Sequence, residues 1–277
     1  MRAIPMTIPI LPDLGKRTLV MGILNVTPDS FSDGGRFNTL EAALAQARAM
    51  TDEGADFLDV GGESTRPGAS EVSGEEEVAR VVPVIERLTA GGFPPVSIDT
   101  YKAGTAEAAL TAGASIVNDV WGLQREPEIA SVAAAHGAPV IVMHNRSEID
   151  PAIDIIEDMK VFFDRSIAIA HKAGIPDAHI ILDPGVGFGK TFEQHLQSIS
   201  RLGELKPLGY PLLMGCSRKR LIGTLIGADR PVGERLHGTV AANVAAILNG
   251  ADIVRVHDVR AHRDAAAVAD AIRGQMR

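Results

Sequence analysis

Eight short apolar runs along this 277-residue chain end abruptly in side chains that could bind a ligand. The endings are carboxylates, amides, imidazoles and a Ser-Arg-Lys cluster, which are too polar to belong to a core. The runs reach Asn25, Gly62, Asp99, Asp119, His144, Asp183, Lys219 and His257. Such groups hold polar or anionic ligands through charge-assisted hydrogen bonds.

Stretches of helical composition separate the runs, at 40–50, 75–88, 107–110 and 153–173. A strand followed by a helix, repeated eight times, predicts an α/β fold that is a single (β/α)8 TIM barrel. Glycine-alanine pairs at 54–55, 113–114, 137–138 and 250–251 precede strands and predict left-handed glycines that end helices. Sites in this fold form at the carboxyl ends of the strands, so we expect the polar endings to converge in one cleft.

Length and composition predict one domain over residues 1–277, with the motifs between about 18 and 260. The net charge of −8 argues against a nucleic acid or an anionic membrane as partner. No apolar run approaches the length of a membrane span, and the proline-broken first residues do not resemble a signal peptide. The single Cys216 excludes an internal disulfide, which is compatible with the cytoplasmic location that we expect.

Two loops that follow strands 1 and 2 are long and rich in Gly, Pro, Ser and Asp, at 25–37 and 61–73. We expect them to be mobile, because long βα loops of a barrel often serve as lids or binding loops. The oxygen-rich segment 25–35 suits Mg2+ beside a phosphate, although a turn full of capping residues is the alternative. In the second loop Arg66 follows Thr65, and it could equally be an exposed loop arginine.

The segments NVTPDSFSDGG at 25–35 and GGESTRPGA at 61–69 closely resemble the two signature loops of the dihydropteroate synthase family. Later family segments follow in order: SIDT at 97–100, VND at 117–119, DPGVGFGK at 183–190, SRK at 217–219 and RVHD at 255–258. The resemblance spans residues 20–259. It implies a transferase of folate biosynthesis, and a sulfonamide target, that joins 4-aminobenzoate to (7,8-dihydropterin-6-yl)methyl diphosphate and releases diphosphate.

A pterin presents adjacent N–H donors that one carboxylate can accept together, and we assign this role to Asp183 at the end of the sixth strand. The resemblance implies that Asp99, Asn118 and Lys219 join it around the pterin. Met143 and Phe188 would contact the ring faces, although core packing is an equal alternative for each.

The resemblance also implies that Asn25 holds Mg2+ on the diphosphate and that Arg66 helps to bind this leaving group. Arg255 and His257 occupy alternate positions of the eighth strand, which predicts a two-pronged anion clamp. The implied catalytic residues are Arg66, Asp99, Lys219, Arg255 and His257. The implied aminobenzoate pocket comprises Phe31, Thr65, Pro67, Phe188 and Ser217.

The implied mechanism is a dissociative, SN1-like substitution that requires no protein nucleophile. A homodimer is also implied, and the last helices, around 240–248 and 265–272, are candidates for its interface. Two alternatives remain on the same barrel: a methyltetrahydrofolate-dependent methyltransferase domain, and a non-catalytic pterin-binding protein.

Three features have no assigned role: Tyr101 where the family pattern has a small polar residue, Trp121, and the segment 145–150. The segment GVGFGKT at 185–191 superficially resembles a nucleotide-binding loop, but Pro184 stands where that pattern needs glycine. We therefore reject a nucleotide-binding function for this segment.

Overall fold

The computed structural model describes residues 8–27, 36–64, 71–227 and 230–276, with the backbone alone for 36–39. The strands β1 to β8 span Leu19–Asn25, Phe57–Gly61, Val96–Asp99, Ile116–Asp119, Val140–Met143, Ile180–Asp183, Leu213–Met214 and Ile253–Val256. The helices α1 to α9 span Arg36–Asp52, Gly74–Ala90, Ala103–Thr111, Glu128–Ala135, Ile155–Ala173, Phe192–Ser200, Arg220–Ile226, Leu236–Leu248 and Val259–Gln275.

The eight strands form one parallel sheet that closes on itself as a barrel, which confirms the predicted fold. Their order is β6-β5-β4-β3-β2-β1-β8-β7. The sheet closes between β6 and β7 by a single bridge from Leu182 to Leu212, because β7 is only two residues long. Helices follow the strands around the outside, and both α7 and α8 lie between β7 and β8 in the chain.

Alternate side chains of each strand point to opposite faces, and this alternation divides the core into two layers. Val20 and Leu58 belong to the large cluster between the sheet and the helices. Met21 and Phe57, one residue away in each strand, belong to a second cluster inside the barrel. Ile8, Leu11 and Leu14 pack on this inner cluster, so the segment before β1 covers the barrel interior at the amino ends of the strands.

The glycine-alanine pairs adopt the backbone that the sequence predicted. Gly54, Gly113, Gly137 and Gly250 have φ angles of 96°, 108°, 64° and 104°, a region that strains residues with a side chain. The alanine after each glycine is buried, so each pair turns the chain from a helix back into the barrel. Within the described part of the chain, no helix is long and apolar enough to cross a membrane.

We predict that Ile116→Ala lowers the free energy of unfolding by about 2–5 kcal/mol, because it leaves a cavity inside the closed barrel. Ile116 is fully buried in the inner cluster. The matched control is Ile149→Ala, whose side chain is 58% exposed and whose loss should change stability by less than about 0.5 kcal/mol. Urea unfolding measures both, and equal effects would contradict the assignment of Ile116 to the barrel interior.

Candidate active site

The carboxyl ends of the strands surround a cleft of about 910 Å³. The described residues for which the sequence predicted a binding role all line it: Asn25, Asp99, Asn118, Met143, Asp183, Phe188, Ser217, Lys219, Arg255 and His257. Phe31, Thr65, Arg66 and Pro67 lie outside the residues that the structure describes. Side chains distant in sequence are therefore gathered at one end of the barrel.

Not every polar strand ending points into this cleft, and the expectation that all of them converge is wrong for Asp119 and His144. Asn118 and Met143 face inward, so the residues that follow them face outward. The Asp119 carboxylate accepts the N–H groups of Trp121 and Leu123, each at 2.7 Å. His144 is fully buried, with Nε2 at 2.9 Å from Asp158 Oδ2, and burial lowers the pKa of its imidazole to about 4.

Arg255 lies between two carboxylates at the floor of the cleft. Its Nε donates to Asp59 Oδ2 and its Nη2 to Asp99 Oδ2, both at 2.6 Å. Asn118 Nδ2 donates to the same Asp59 oxygen at 3.0 Å. These contacts join β2, β3, β4 and β8 through their inward-facing side chains.

Burial strongly affects the charges at this floor. It raises the pKa of the Asp99 carboxyl to about 7, although the positive charge of Arg255 opposes the change. Burial also disfavours the charge of Arg255, yet Asp59 and Asp99 raise the pKa of its guanidinium above the usual value. Asp99 Oδ1 is buried without a hydrogen-bond partner in the part of the chain that the structure describes. This oxygen can therefore accept a donor from a ligand in the cleft.

Asp59 is a residue of this network that the sequence analysis missed. It is fully buried and does not line the cleft, so it acts on a ligand only through Arg255 and Asn118. The sequence did indicate a special role for Asp59, because a carboxylate on the same face as Phe57 interrupts an otherwise apolar strand β2.

On the opposite side of the floor, Asp183 Oδ1 accepts the N–H of Gly185 at 2.7 Å. Burial raises the pKa of Asp183, against this hydrogen bond and the charges of Lys219 and Arg255. Lys219 Nζ donates to the Val186 carbonyl and lies 4.3 Å from the centre of the Phe188 ring. Burial lowers the pKa of the Lys219 ammonium to about 8, although Asp183 opposes this effect.

A second group of polar side chains lies where β7 and β8 end. Ser217 Oγ is 2.9 Å from His257 Nδ1 and also accepts the backbone N–H of His257 at 3.2 Å. Arg220 and Arg235 line the same part of the cleft. Arg235 donates to the backbone carbonyls of Arg230 and Arg218 and, among the described residues, not to a carboxylate, so its charge can attract an anion.

The unassigned Tyr101 and Trp121 do not line the cleft, but they pack against three residues that do, Val120, Met143 and Phe188. Tyr101 packs with Val120 and Met143, and Trp121 and Phe188 border this cluster. Arg125 stacks over both rings, 4.4 Å from the centre of Tyr101 and 5.3 Å from that of Trp121. The segment after His144 is attached to the same cluster, because Asn145 Nδ2 donates to the Val120 carbonyl at 2.9 Å.

The donor set suits a hard cation that is held mainly by its ligand. The described residues contain no group of three His, Cys, Asp or Glu side chains that could bind a metal. Asn25 contributes one amide oxygen at the edge of the cleft. Mg2+ fits such a position, since it prefers few protein oxygens together with phosphate and water.

Cys216 is not part of the chemistry. Its thiol is fully buried, with Sγ 3.0 Å from Asn243 Oδ1, and burial raises its pKa to about 12. A thiol of this kind does not act as a nucleophile at neutral pH. The cleft thus combines carboxylates, an amide, an arginine and a lysine at its floor with further basic side chains where β7 and β8 end.

Comparisons with known proteins agree with this arrangement. Residues 21–257 match the family described as pterin binding enzyme. The dihydropteroate synthase of Clostridium beijerinckii is 50% identical over 261 residues, which cover 94% of this chain and 96% of that protein.

Solved structures are equally similar. A crystal structure of a dihydropteroate synthase from Clostridium difficile in the presence of pteroic acid is 53% identical, with a TM-score of 0.91, covering 94% of this chain and 98% of that one. A dihydropteroate synthase from Xanthomonas albilineans with 4-aminobenzoic acid is 46% identical, with a TM-score of 0.88, covering 92% and 93%. The chain therefore belongs to the dihydropteroate synthase family of pterin-binding enzymes, and it is a transferase.

Proposed function

We propose that the cleft joins 4-aminobenzoate to (7,8-dihydropterin-6-yl)methyl diphosphate, forming 7,8-dihydropteroate. The bond between the exocyclic methylene carbon and the diphosphate oxygen breaks, the arylamine nitrogen bonds to that carbon, and the nitrogen loses one proton. The observation that carries this proposal is the convergence of Asp99, Asn118, Asp183 and Lys219 in one cleft. Solved relatives that contain pteroic acid, 4-aminobenzoic acid or 7,8-dihydropteroate support it.

The floor of the cleft is suited to the polar edge of a pterin. Asp183 and Asp99 offer carboxylate oxygens to ring N–H groups, and Asn118 offers an amide. Lys219 can donate to a ring carbonyl or ring nitrogen, provided that its ammonium leaves the Val186 carbonyl. Met143 and Phe188 then supply apolar contact for the ring faces.

The basic side chains of the cleft are suited to the leaving diphosphate. His257 and Arg255 both line the cleft, as their alternate positions predicted. Because Arg255 already binds Asp59 and Asp99, we expect its loss to disturb the pterin floor as well as the anion site. Arg220 and Arg235, which the sequence analysis did not single out, add positive charge at the same side.

A dissociative substitution is consistent with these residues. The departing diphosphate leaves a pterin cation that the ring system stabilises, and the amine then attacks this cation. The barrel residues bind and orient the two substrates, and none of them has to form a covalent bond. The buried Cys216 thiol agrees with a reaction in which no protein group forms a covalent bond.

Mg2+ is the proposed cofactor, held by the Asn25 amide oxygen and by the diphosphate. When bound, it would offset the negative charge that develops on the leaving group.

We also propose that the protein is a cytoplasmic homodimer. Exposed apolar side chains on α9 support a subunit interface, since Val268 is 62% and Ile272 is 48% exposed.

We predict that the purified protein releases diphosphate only when both substrates are present. Diphosphate release with 4-aminobenzoate omitted would indicate hydrolysis, and methyl transfer from a methylated folate would indicate the methyltransferase alternative. Binding of a pterin without any turnover would instead support a non-catalytic binding protein. A coupled diphosphate assay with single-substrate controls distinguishes these outcomes.

We predict that Asp183→Ala weakens the binding of the pterin diphosphate by at least about 2 kcal/mol, because it removes charge-assisted hydrogen bonds in a buried cleft. Calorimetry measures this change. Asp164→Ala on the exposed face of α5 is the matched control and should leave the affinity unaltered. An unchanged affinity in the Asp183 variant would remove this residue from the pterin site.

We predict that Asp59→Asn lowers the free energy of unfolding by about 3 kcal/mol, since it breaks a buried ion pair and leaves Arg255 partly uncompensated. The control is Asp13→Asn, which removes a carboxylate that is 44% exposed and pairs with Arg17 at 2.8 Å. That exposed pair should contribute less than about 1 kcal/mol. Urea unfolding of both variants tests whether the loss in free energy of unfolding depends on the burial of the ion pair and not on pairing alone.

A further inference from the structure

Lys190 is a buried cation that the proposed chemistry does not use. It lies in the segment 185–191, whose resemblance to a nucleotide-binding loop was rejected, and it lines the cleft with only 3% of its surface exposed. Its Nζ donates to three backbone carbonyls, those of Gly185 at 3.0 Å, Phe188 at 3.2 Å and His144 at 3.4 Å. The ammonium therefore binds the protein's own backbone at the position where a phosphate-binding lysine would bind a ligand.

These hydrogen bonds connect two loops at the carboxyl ends of neighbouring strands. Gly185 and Phe188 belong to the turn after β6, whereas His144 directly follows β5. The two loops touch, since a Cβ built on Gly185 would lie 2.0 Å from the His144 carbonyl oxygen. Gly185 also has a φ of 67°, which residues with a side chain rarely adopt. Lys190 thus donates hydrogen bonds to carbonyls that the close approach of the two loops brings together.

The turn that Lys190 holds carries part of the cleft wall. The Phe188 ring lies beneath the Lys219 ammonium, and the Val186 carbonyl accepts a hydrogen bond from the same lysine. Gly187 N–H donates to His195 Nδ1 at 3.2 Å, which attaches the turn to α6. A displacement of the turn would therefore move Phe188 and break the hydrogen bond between the Lys219 ammonium and the Val186 carbonyl.

Burying this ammonium is costly. Burial lowers the pKa of Lys190 to about 7. The negative charges of Asp183 and Asp158 oppose this shift, whereas the positive charges of Lys219 and Arg146 add to it. An apolar residue would avoid this cost but would remove one donor from each of three carbonyls, of which that of Gly185 would keep the N–H of Phe188 at 3.2 Å. The geometry of the turn, with its converging carbonyls, accounts for a lysine at this position.

We propose that Lys190 is a positioning residue that fixes the turn 185–189 and thereby places Phe188 for 4-aminobenzoate, an inference that rests on the proposed function. The pterin would also lose contact with Phe188, but it retains Asp99, Asn118, Met143 and Asp183, which lie on the strands themselves. Loss of Lys190 therefore affects the aminobenzoate more than the pterin diphosphate.

Steady-state kinetics of Lys190→Met test the proposal. We expect the KM for 4-aminobenzoate to rise at least about 10-fold, with the KM for the pterin diphosphate changed by less than about threefold. Lys206→Met is the matched control, because Lys206 Nζ binds Asp252 at 2.8 Å just before β8, at the amino end of the barrel. This variant should leave both KM values as in the wild type.

A double-mutant cycle with Phe188→Ala distinguishes positioning from a purely structural role. If Lys190 acts through Phe188, Lys190→Met should raise the aminobenzoate KM by less than about threefold in the Phe188→Ala background. Equal effects in both backgrounds would overturn the proposal, and so would a lowered melting temperature with an unchanged KM. A smaller folded fraction lowers the apparent kcat without altering KM.

Lys190→Gln takes the place of Lys190→Met in the cycle if the methionine variant does not fold, since its amide retains hydrogen-bond donors. Wild-type protein without diphosphate release would refute the proposed function itself. Active wild-type protein with an unaltered aminobenzoate KM in the lysine variants would refute only the role of Lys190.

Discussion

Two buried carboxylates bind one guanidinium inside the barrel, and the shape of the ligand cleft depends on this contact. Asp59, Asp99 and Arg255 come from β2, β3 and β8, and their side chains meet because parallel strands in a closed barrel point alternate residues inward. An unpaired charge at this depth would be strongly unfavourable. Each of the three groups is therefore held where its partners require, and Asp99 keeps one oxygen free for a ligand.

On the opposite side of the cleft, buried positive charges are also compensated, but the acceptors are backbone carbonyls and not carboxylates. The turn after β6 directs its carbonyls toward two ammonium groups, those of Lys190 and Lys219. Both lysines line the cleft, but Lys190 is 3% exposed with its ammonium bound by three carbonyls, whereas Lys219 donates to one carbonyl that it can exchange for a ligand. A barrel that binds a flat heterocycle thus combines rigid strands with a turn that is fixed by its own charges.

Sequence reasoning predicted the barrel and ten of the residues that line the cleft, but it did not single out Arg220 or Arg235, and it gave no role to Asp59 or Lys190. Asp183 and Asn118 stand at strand ends, where polarity is conspicuous against an apolar run. Asp59 lies within a strand, and its partner Arg255 is 196 residues away, so no local pattern links them. Lys190 follows three glycines whose left-handed backbone turns carbonyls toward it, a geometry that composition alone does not specify. Asp119 and His144 were misplaced because a shift of one residue reverses the face of a strand.

The sequence by itself determined the repeating strands and helices, the end of the barrel that binds ligands, and the family, because periodicity and contiguous motifs are local properties of a chain. Only the tertiary structure decided which strand-end residues share the cleft, which charges neutralise one another, and which lysine faces a ligand. Those outcomes depend on the inward or outward phase of each strand and on contacts between residues far apart in the chain. Burial raises the pKa of Asp99 and lowers that of Lys219, because the free energy of a charge depends on what surrounds it in space.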